Sequence, residues 1–180
     1  MTTMFATRRA GNSDVDALVA DVAAGYASYV EFAPAGWQPP DMSTERERTA
    51  RQIADDATWA LLALVDGAPT GHVAFFPGRR RAPGGAPASR RGERIPGLAH
   101  LWQLFVLPEW WGRGAAPLLH DEAIAEMRSQ GYRRARLYTP SGHARARRFY
   151  ERRGWTPADA GWNEFLALEL TEYRLDLGER

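Results

Sequence analysis

The stretch Leu104-Phe-Val-Leu-Pro-Glu-Trp-Trp-Gly-Arg-Gly-Ala-Ala-Pro-Leu-Leu119 constrains this 180-residue chain more than any other, because it carries an apolar strand through a tight glycine turn straight into a helix. Gly112 and Gly114 have no Cβ, so the backbone there can turn sharply and come close to a ligand. The first N–H groups of the following helix have no partner within it and point outward. The arrangement predicts an anion cradle of the size and polarity of a phosphate.

The spacing excludes two common phosphate binders. A P-loop needs Lys followed by Ser or Thr after its last glycine, and here Ala115-Ala116-Pro117 follows instead. A dinucleotide fold needs a third glycine in Gly-x-Gly-x-x-Gly, and Pro117 stands in its place.

Val106-Leu-Pro108, with Gly114-Ala-Ala116 beyond it, resembles the acetyl-CoA signature of the GNAT superfamily of N-acetyltransferases, Arg/Gln-x-x-Gly-x-Gly/Ala after a Val-x-Pro strand end. His143-Ala-Arg-Ala-Arg-Arg-Phe-Tyr-Glu-Arg-Arg-Gly-Trp155 resembles that family's second segment, Asn-x-x-Ala-x-x-Phe-Tyr-Glu-x-x-Gly-Phe. The two lie in the family's order, and together they cover about residues 99 to 156. Two positions depart from the pattern: Trp111 replaces the usual Arg or Gln, and His143 replaces the usual Asn. Because phosphate binding in such a turn rests on backbone N–H groups, Trp111 is compatible with it.

The resemblance implies acetyl-CoA as cofactor. Its pyrophosphate would lie at Trp111, Gly112, Arg113, Gly114, Ala115 and Ala116, its arm along Leu104, Phe105 and Val106, and His143 and Tyr150 would flank it. The backbone of Leu104 to Val106 would also donate to the thioester oxygen, and Tyr150 would be the general acid that protonates the departing thiolate. A phenol holds its proton near neutrality, with a reference pKa of about 10. Tyr150 also has a simpler reading as packing for its helix.

The base is open between two readings. His100 lies where some histone-acetylating members of the family carry a catalytic Glu, and imidazole is a sensible base near neutrality. Alternatively His100 is a hydrogen-bonded strand residue and a water relay removes the amine proton. Simple alternation puts His100, Trp102 and Leu104 on one face of the strand and Leu101, Gln103 and Phe105 on the other. A bulge would change that phase. His72 and His120 read as structural or surface residues, His120 facing out from its helix, and no His, Cys, Asp or Glu cluster has metal-ligand spacing.

An acceptor pocket is expected from Tyr26, Tyr29, Phe32 and Trp37 in the first helices, with Phe75 and Trp102 approaching from the sheet. Such a lining suits a hydrophobic or cationic amine. The alternative is an ordinary aromatic core.

Composition agrees with one soluble globular domain over 1–180: 44% of residues are hydrophobic and 25% charged, and no apolar run reaches the length of a membrane span. A net charge of +1 gives no global attraction to nucleic acid. All 23 basic residues are Arg, which points to a GC-rich bacterial source, and no apolar stretch follows Arg8-Arg9, so a cytoplasmic location is expected. With no Cys in the chain, acyl transfer through a cysteine thioester is excluded.

Along the chain, a strand at Phe5–Ala10 precedes a helix capped at Asn12–Asp14 and reaching about Phe32, and a second helix runs from Ser43 toward Ala57. A hairpin follows around Asp66-Gly67. Residues 77 to 97 hold five Gly, four Pro and six Arg and read as a flexible, solvated loop. Then come a strand at Ala99–Val106, a helix from Ala115 to about Gln130, a strand at Arg133–Thr139, the Tyr150 helix, and one or two final strands, the last at Glu169–Leu177. The expected fold is mixed α/β, a central bent sheet of six to seven strands flanked by about four helices. The last strand offers a surface through which two copies could pair. The expected partner is a small-molecule or peptide amine, with neither nucleic acid nor membrane. A non-catalytic CoA-sensing or partner-binding module on the same fold is the competing reading.

Overall fold

The computed structural model describes residues 4–80 and 92–178. Seven strands form one sheet in the order β1-β2-β3-β4-β5-β7-β6, with four α-helices against it. Strand β1 (Ala6–Arg9) leads through a short 3-10 turn into α1 (Val15–Ala27). That turn is fastened by Asp14, which accepts from both guanidinium nitrogens of Arg8 at 2.8 Å and from the Gly11 N–H at 2.9 Å. Another 3-10 turn over Ser28–Glu31 extends α1, and α2 (Glu45–Ile53) is shorter than its sequence pattern suggests.

Strands β2 (Trp59–Val65) and β3 (Ala68–Arg79) form the expected hairpin. Asp66 and Gly67 both have positive φ, 50° and 80°, the backbone of a two-residue turn that matches the right-handed twist of its strands. The near-continuous apolar run of β2 reflects burial on both faces. Trp59, Leu61 and Ala63 pack in the core beneath α3, whereas Leu62 and Leu64 meet Leu18 of α1. The larger core adds Leu119, Ala123, Ile124 and Met127, one face of α3 (Ala115–Ser129). Each such Leu, Ile or Met withdrawn from water contributes about 1.5–3 kcal/mol.

Strand β4 (Arg94–Val106) pairs with β3 on one side and, in parallel, with β5 (Arg134–Pro140) on the other. After α4 (Ala144–Glu151), the chain enters β6 (Thr156–Asn163) and returns as β7 (Leu168–Asp176). Strand β7 lies between β5 and β6, hydrogen-bonded on both sides. It is therefore no edge, and the expectation that it could pair between two copies is corrected: the sheet ends at β1 and β6.

The expected loop over 77–97 is also corrected at its ends. Strand β3 continues to Arg79 and β4 begins at Arg94, the two residues facing each other in register, and the Arg80 N–H donates to the Glu93 carbonyl at 2.8 Å. Arg81, Arg90 and Arg91 lie outside the described residues. Among the described residues, no helix is long and apolar enough to cross a membrane.

Candidate active site

Strands β4 and β5 are paired only at Leu98–Arg134, Ala99–Ala135 and His100–Arg136. Beyond that point they diverge, because β4 stays with β3 as far as Val106 while β5 follows β7 to Pro140. The wedge between them opens into a cleft of about 480 Å³. Its walls are Leu101 to Val106 of β4 and Leu137, Tyr138 and Thr139 of β5; its roof is the turn before α3, and α4 closes one side. From the opposite side of the sheet Gly25, Ser28 and Tyr29 reach it from α1 and the turn that extends it.

The roof is the glycine turn. Gly112 and Gly114 have φ of 73° and 101°, a region that a side chain with a Cβ adopts only at a cost, and a Cβ at either would project into open space. Gly114 is the N-cap of α3, so the helix begins with its unpaired N–H groups at the mouth of the cleft. Trp111, the departure from the signature, has a definite place. Its indole Nε1 donates to the Val106 carbonyl at 2.7 Å, and the Arg145 guanidinium lies 3.5 Å from its ring centroid. Trp110 also lines the cleft, with Arg113 over its ring.

A bulge in β4 decides which side chains share a face. Ala74 pairs with Gln103 but Phe75 pairs with Leu101, leaving Trp102 as the extra residue. Ala99, Leu101 and Leu104 accordingly pack in the core beneath α3, while His100 falls in phase with Gln103 and Phe105 on the α1 side. The simple alternation that grouped His100 with Leu104 is corrected.

The remaining candidates sort by position. Tyr150 lines the cleft from α4, buried against Phe149, Trp155 and Tyr173, and burial pushes its phenol pKa upward. His143, just before α4, lines the cleft with its ring stacked on Phe32 at 4.6 Å and edge-on to Tyr29 at 5.6 Å. Burial, with Arg145 nearby, lowers its pKa to about 4, so it is neutral at pH 7. Tyr29 and Trp102 also reach the cleft, and so does Ala116 of α3.

Other expected site residues do not line it. Phe75 is stacked on Trp59 at 5.1 Å in the core beneath α3 and does not reach the cleft. Phe32 stands behind His143, and Trp37 donates its indole N–H to the Leu166 carbonyl at 2.7 Å. His100 is buried between the rings of Phe76 and Tyr138, below the point where the strands part. His120 does not face outward: it is buried, accepting from Trp155 Nε1 at 3.0 Å through Nε2 while Nδ1 meets Asp121 at 2.8 Å. Burial lowers its pKa.

Several cleft residues had no sequence signal of their own. Arg145, Arg152 and Arg153 line the α4 side, and the basic run along that helix is their only trace in the sequence. Gln103 is held by His72, which is held in turn by Asp21, a contact made across three separated elements.

Comparison with known proteins agrees with this geometry. A model of the acetyltransferase (GNAT) family matches residues 22–155. The chain belongs to the GNAT family. A search of curated protein sequences gives no significant match. Among solved structures, the chain is similar to PaiA N-acetyltransferase from Thermoplasma acidophilum in complex with coenzyme A, with a TM-score of 0.73 at 16% identity over 96% of this chain and all of that one. It is also similar to an N-acetyltransferase from Staphylococcus aureus (TM-score 0.68, 19% identity, 98% of this chain and all of that one). The ribosomal-protein-S18-alanine N-acetyltransferase from Escherichia coli is a third (TM-score 0.67, 14% identity, 98% and 96%). At these identities the structural likeness carries the fold, and the family match carries the activity class. This GNAT protein is an acyl-CoA-dependent N-acetyltransferase, and its cofactor is acetyl-CoA. The cleft fits that cofactor: an open glycine turn at a helix N-terminus for the pyrophosphate, a splayed strand edge for the arm, and arginines at its side.

Proposed function

We propose that this chain transfers acetyl directly to a primary amine bound beside acetyl-CoA in the wedge between β4 and β5. The single observation that carries the reading is the continuity of that cleft. It runs from the turn at Gly112–Gly114 past Tyr150 to Tyr29 on the α1 side, so donor and acceptor would share one space. The chain has no Cys to form a thioester, and the one serine on the wall, Ser28, spends its hydroxyl on the Gly25 carbonyl at 2.6 Å. No covalent relay through the protein is then needed.

Acetyl-CoA supplies an activated acyl group and a thiolate leaving group. The chain would do the rest. The backbone N–H groups at the start of α3, with Arg145 and Arg152 at the side of the cleft, would hold the phosphates. Backbone donors of β4 between Leu104 and Val106 would stabilise charge on the carbonyl oxygen. Tyr150, which keeps its proton firmly because it is buried, would donate that proton to the departing sulfur.

No group on the wall suits the base. Among the described residues lining the cleft there is no Asp or Glu, His100 lies outside the lining, and His143, which does line it, is a weak base with its pKa lowered to about 4. Water is the better proton acceptor here, and the reaction then favours an amine already neutral in a good fraction of molecules near pH 8. Composition further supports a cytoplasmic, bacterial setting.

The test is thermal unfolding with saturating acetyl-CoA, with ATP and NAD as phosphate-bearing controls, followed by thiol release with a panel of amines. A rise in Tm with acetyl-CoA alone and amine-dependent thiol release support the reading. Acetyl-CoA binding without release to any amine would instead favour a CoA-sensing module.

A further inference from the structure

The turn that seats the cofactor's phosphates is short of donors at two places. Trp111 stands where the signature carries Arg or Gln, and Pro117, the third residue of α3, has no N–H. The first turn of that helix therefore offers an anion the N–H groups of Ala115 and Ala116 but not the one that would follow them. Both changes lower the positive potential at the seat.

A guanidinium from the other wall stands beside this gap. Arg145 belongs to the first turn of α4, lines the cleft, and lies 3.5 Å from the centroid of the Trp111 ring. The ring is itself fixed, because its Nε1–H donates to the Val106 carbonyl at 2.7 Å. A guanidinium laid flat on a fixed indole loses little freedom when it takes an anion, and the N–H groups at its edge match two phosphate oxygens. Arg145 is exposed, and its side chain makes no hydrogen bond or ion pair among the described residues. A cation in the first turn of a helix opposes the helix dipole, so the stability of α4 does not account for it. The other arginines on this wall differ from it. Arg153 lies 3.8 Å from the Asp121 carboxylate, and Arg152 has no ring or carboxylate that holds it in place.

Resting on the acetyl-transfer reading above, we infer that Arg145, laid on Trp111, is a specificity-determining residue for the acyl donor. It selects thioesters whose pantetheine arm ends in a diphosphate, as in CoA, over the same arm ending in a single phosphodiester, as on a carrier protein. The balance of charge gives the reason. A helix N-terminus carries about half a positive charge, which one phosphodiester already offsets. The added guanidinium leaves an excess that the second phosphate of a diphosphate fills. Each phosphate then has its own donors, backbone N–H groups of α3 for one and the fork of Arg145 for the other. Because the two sets of donors come from α3 and α4, a diphosphate ties the two sides of the cleft together and a single phosphate does not.

The experiment is calorimetry on the full chain with two probes besides CoA. Dephospho-CoA keeps the diphosphate and lacks the 3′-phosphate; the methyl ester of 4′-phosphopantetheine is a single phosphodiester on the same arm. Dephospho-CoA is expected to bind at least about a hundredfold more tightly than the ester. Part of that difference belongs to the adenosine, so the variants decide the matter. Arg145→Gln should fold with an unchanged ligand-free Tm, since Arg145 is exposed, and should weaken dephospho-CoA about tenfold but the ester by less than about twofold. Arg145→Lys keeps the charge without the fork or the flat stacking face, and should remain several-fold weaker than the unmodified chain for dephospho-CoA. Arg148→Gln removes an equal charge from the exposed side of the same helix, outside the cleft lining, and should leave both probes unchanged. Equal weakening of both probes in Arg145→Gln, no weakening of dephospho-CoA, full recovery in Arg145→Lys, or the same selective loss in Arg148→Gln would overturn the inference while CoA binding stands. Failure of CoA to bind the unmodified chain is a different result: it strikes the acetyl-transfer reading, and this inference falls with it.

Discussion

The Trp111 indole N–H donates to the Val106 carbonyl at 2.7 Å, tying the glycine turn back to the end of the strand that precedes it. A residue that interrupts the family's cofactor signature thereby holds the signature's geometry. Trp111→Phe keeps a ring for Arg145 to stack on and removes the donor. Its expected effect is a loss of about 1 kcal/mol, a several-fold weaker acetyl-CoA affinity with unchanged fold, measured by calorimetry. Unchanged affinity would show that the turn holds its shape without this bond.

Gly114 has φ of 101° at the N-cap of α3, and a Cβ there would meet nothing in the protein. Gly114→Glu should therefore fold with a penalty of about 1–2 kcal/mol from backbone strain. It should also lose the acetyl-CoA-dependent rise in Tm, because a carboxylate would occupy the phosphate's place. A normal Tm rise in this variant would sink the cradle.

Tyr150→Phe keeps the contacts with Phe149, Trp155 and Tyr173 and removes only the hydroxyl. Turnover should fall about a hundredfold, within the range for loss of a general acid, with acetyl-CoA affinity within about twofold of the unmodified chain. Steady-state thiol release beside calorimetry separates the two. Undiminished turnover would make Tyr150 a packing residue.

His143 has its pKa lowered to about 4 by burial and by Arg145. The unfolded chain takes up a proton at this residue near pH 6.5, and the native one does so only near pH 4, so its contribution to stability is whole above pH 6.5 and falls away as pH drops toward 4. Urea unfolding of the unmodified chain should lose more stability between pH 7 and pH 4.5 than that of His143→Asn. Buried His120, lowered in the same direction, contributes to both proteins alike. Identical losses would mean that His143 is more open to solvent than its stacking on Phe32 implies.

Gly25 lets α1 approach β4. A Cβ there would collide with the Phe105 ring, which Tyr26 meets edge-on at 5.8 Å. Gly25→Ala gains about 1 kcal/mol of helix propensity but overpacks this contact by about 1–3 kcal/mol. A net loss of about 1 kcal/mol is expected in urea unfolding, with a raised KM for the amine as Phe105 is forced toward the cleft. An unchanged KM would detach Phe105 from acceptor binding.

The sequence by itself determined whatever rests on neighbours a few positions apart. The Asp66-Gly67 turn, the strand, glycine turn and helix from Leu104 to Leu119, and the apolar face of α3 were legible, because backbone sterics and helical or strand periodicity are set locally. Only the tertiary structure decided what depends on pairing between distant segments. One bulged residue, Trp102, moved His100 away from Leu104 and in phase with Gln103, a shift fixed by how β4 registers against β3. The insertion of β7 between β5 and β6 removed it from the sheet's edge. Trp155 drew His120 inward from a helix position that reads as outward. Asp21, His72 and Gln103 stand 51 and 31 positions apart along the chain and meet because α1, β3 and β4 pack on one another. A buried polar group must find its partner somewhere in the fold, and chain order does not say where.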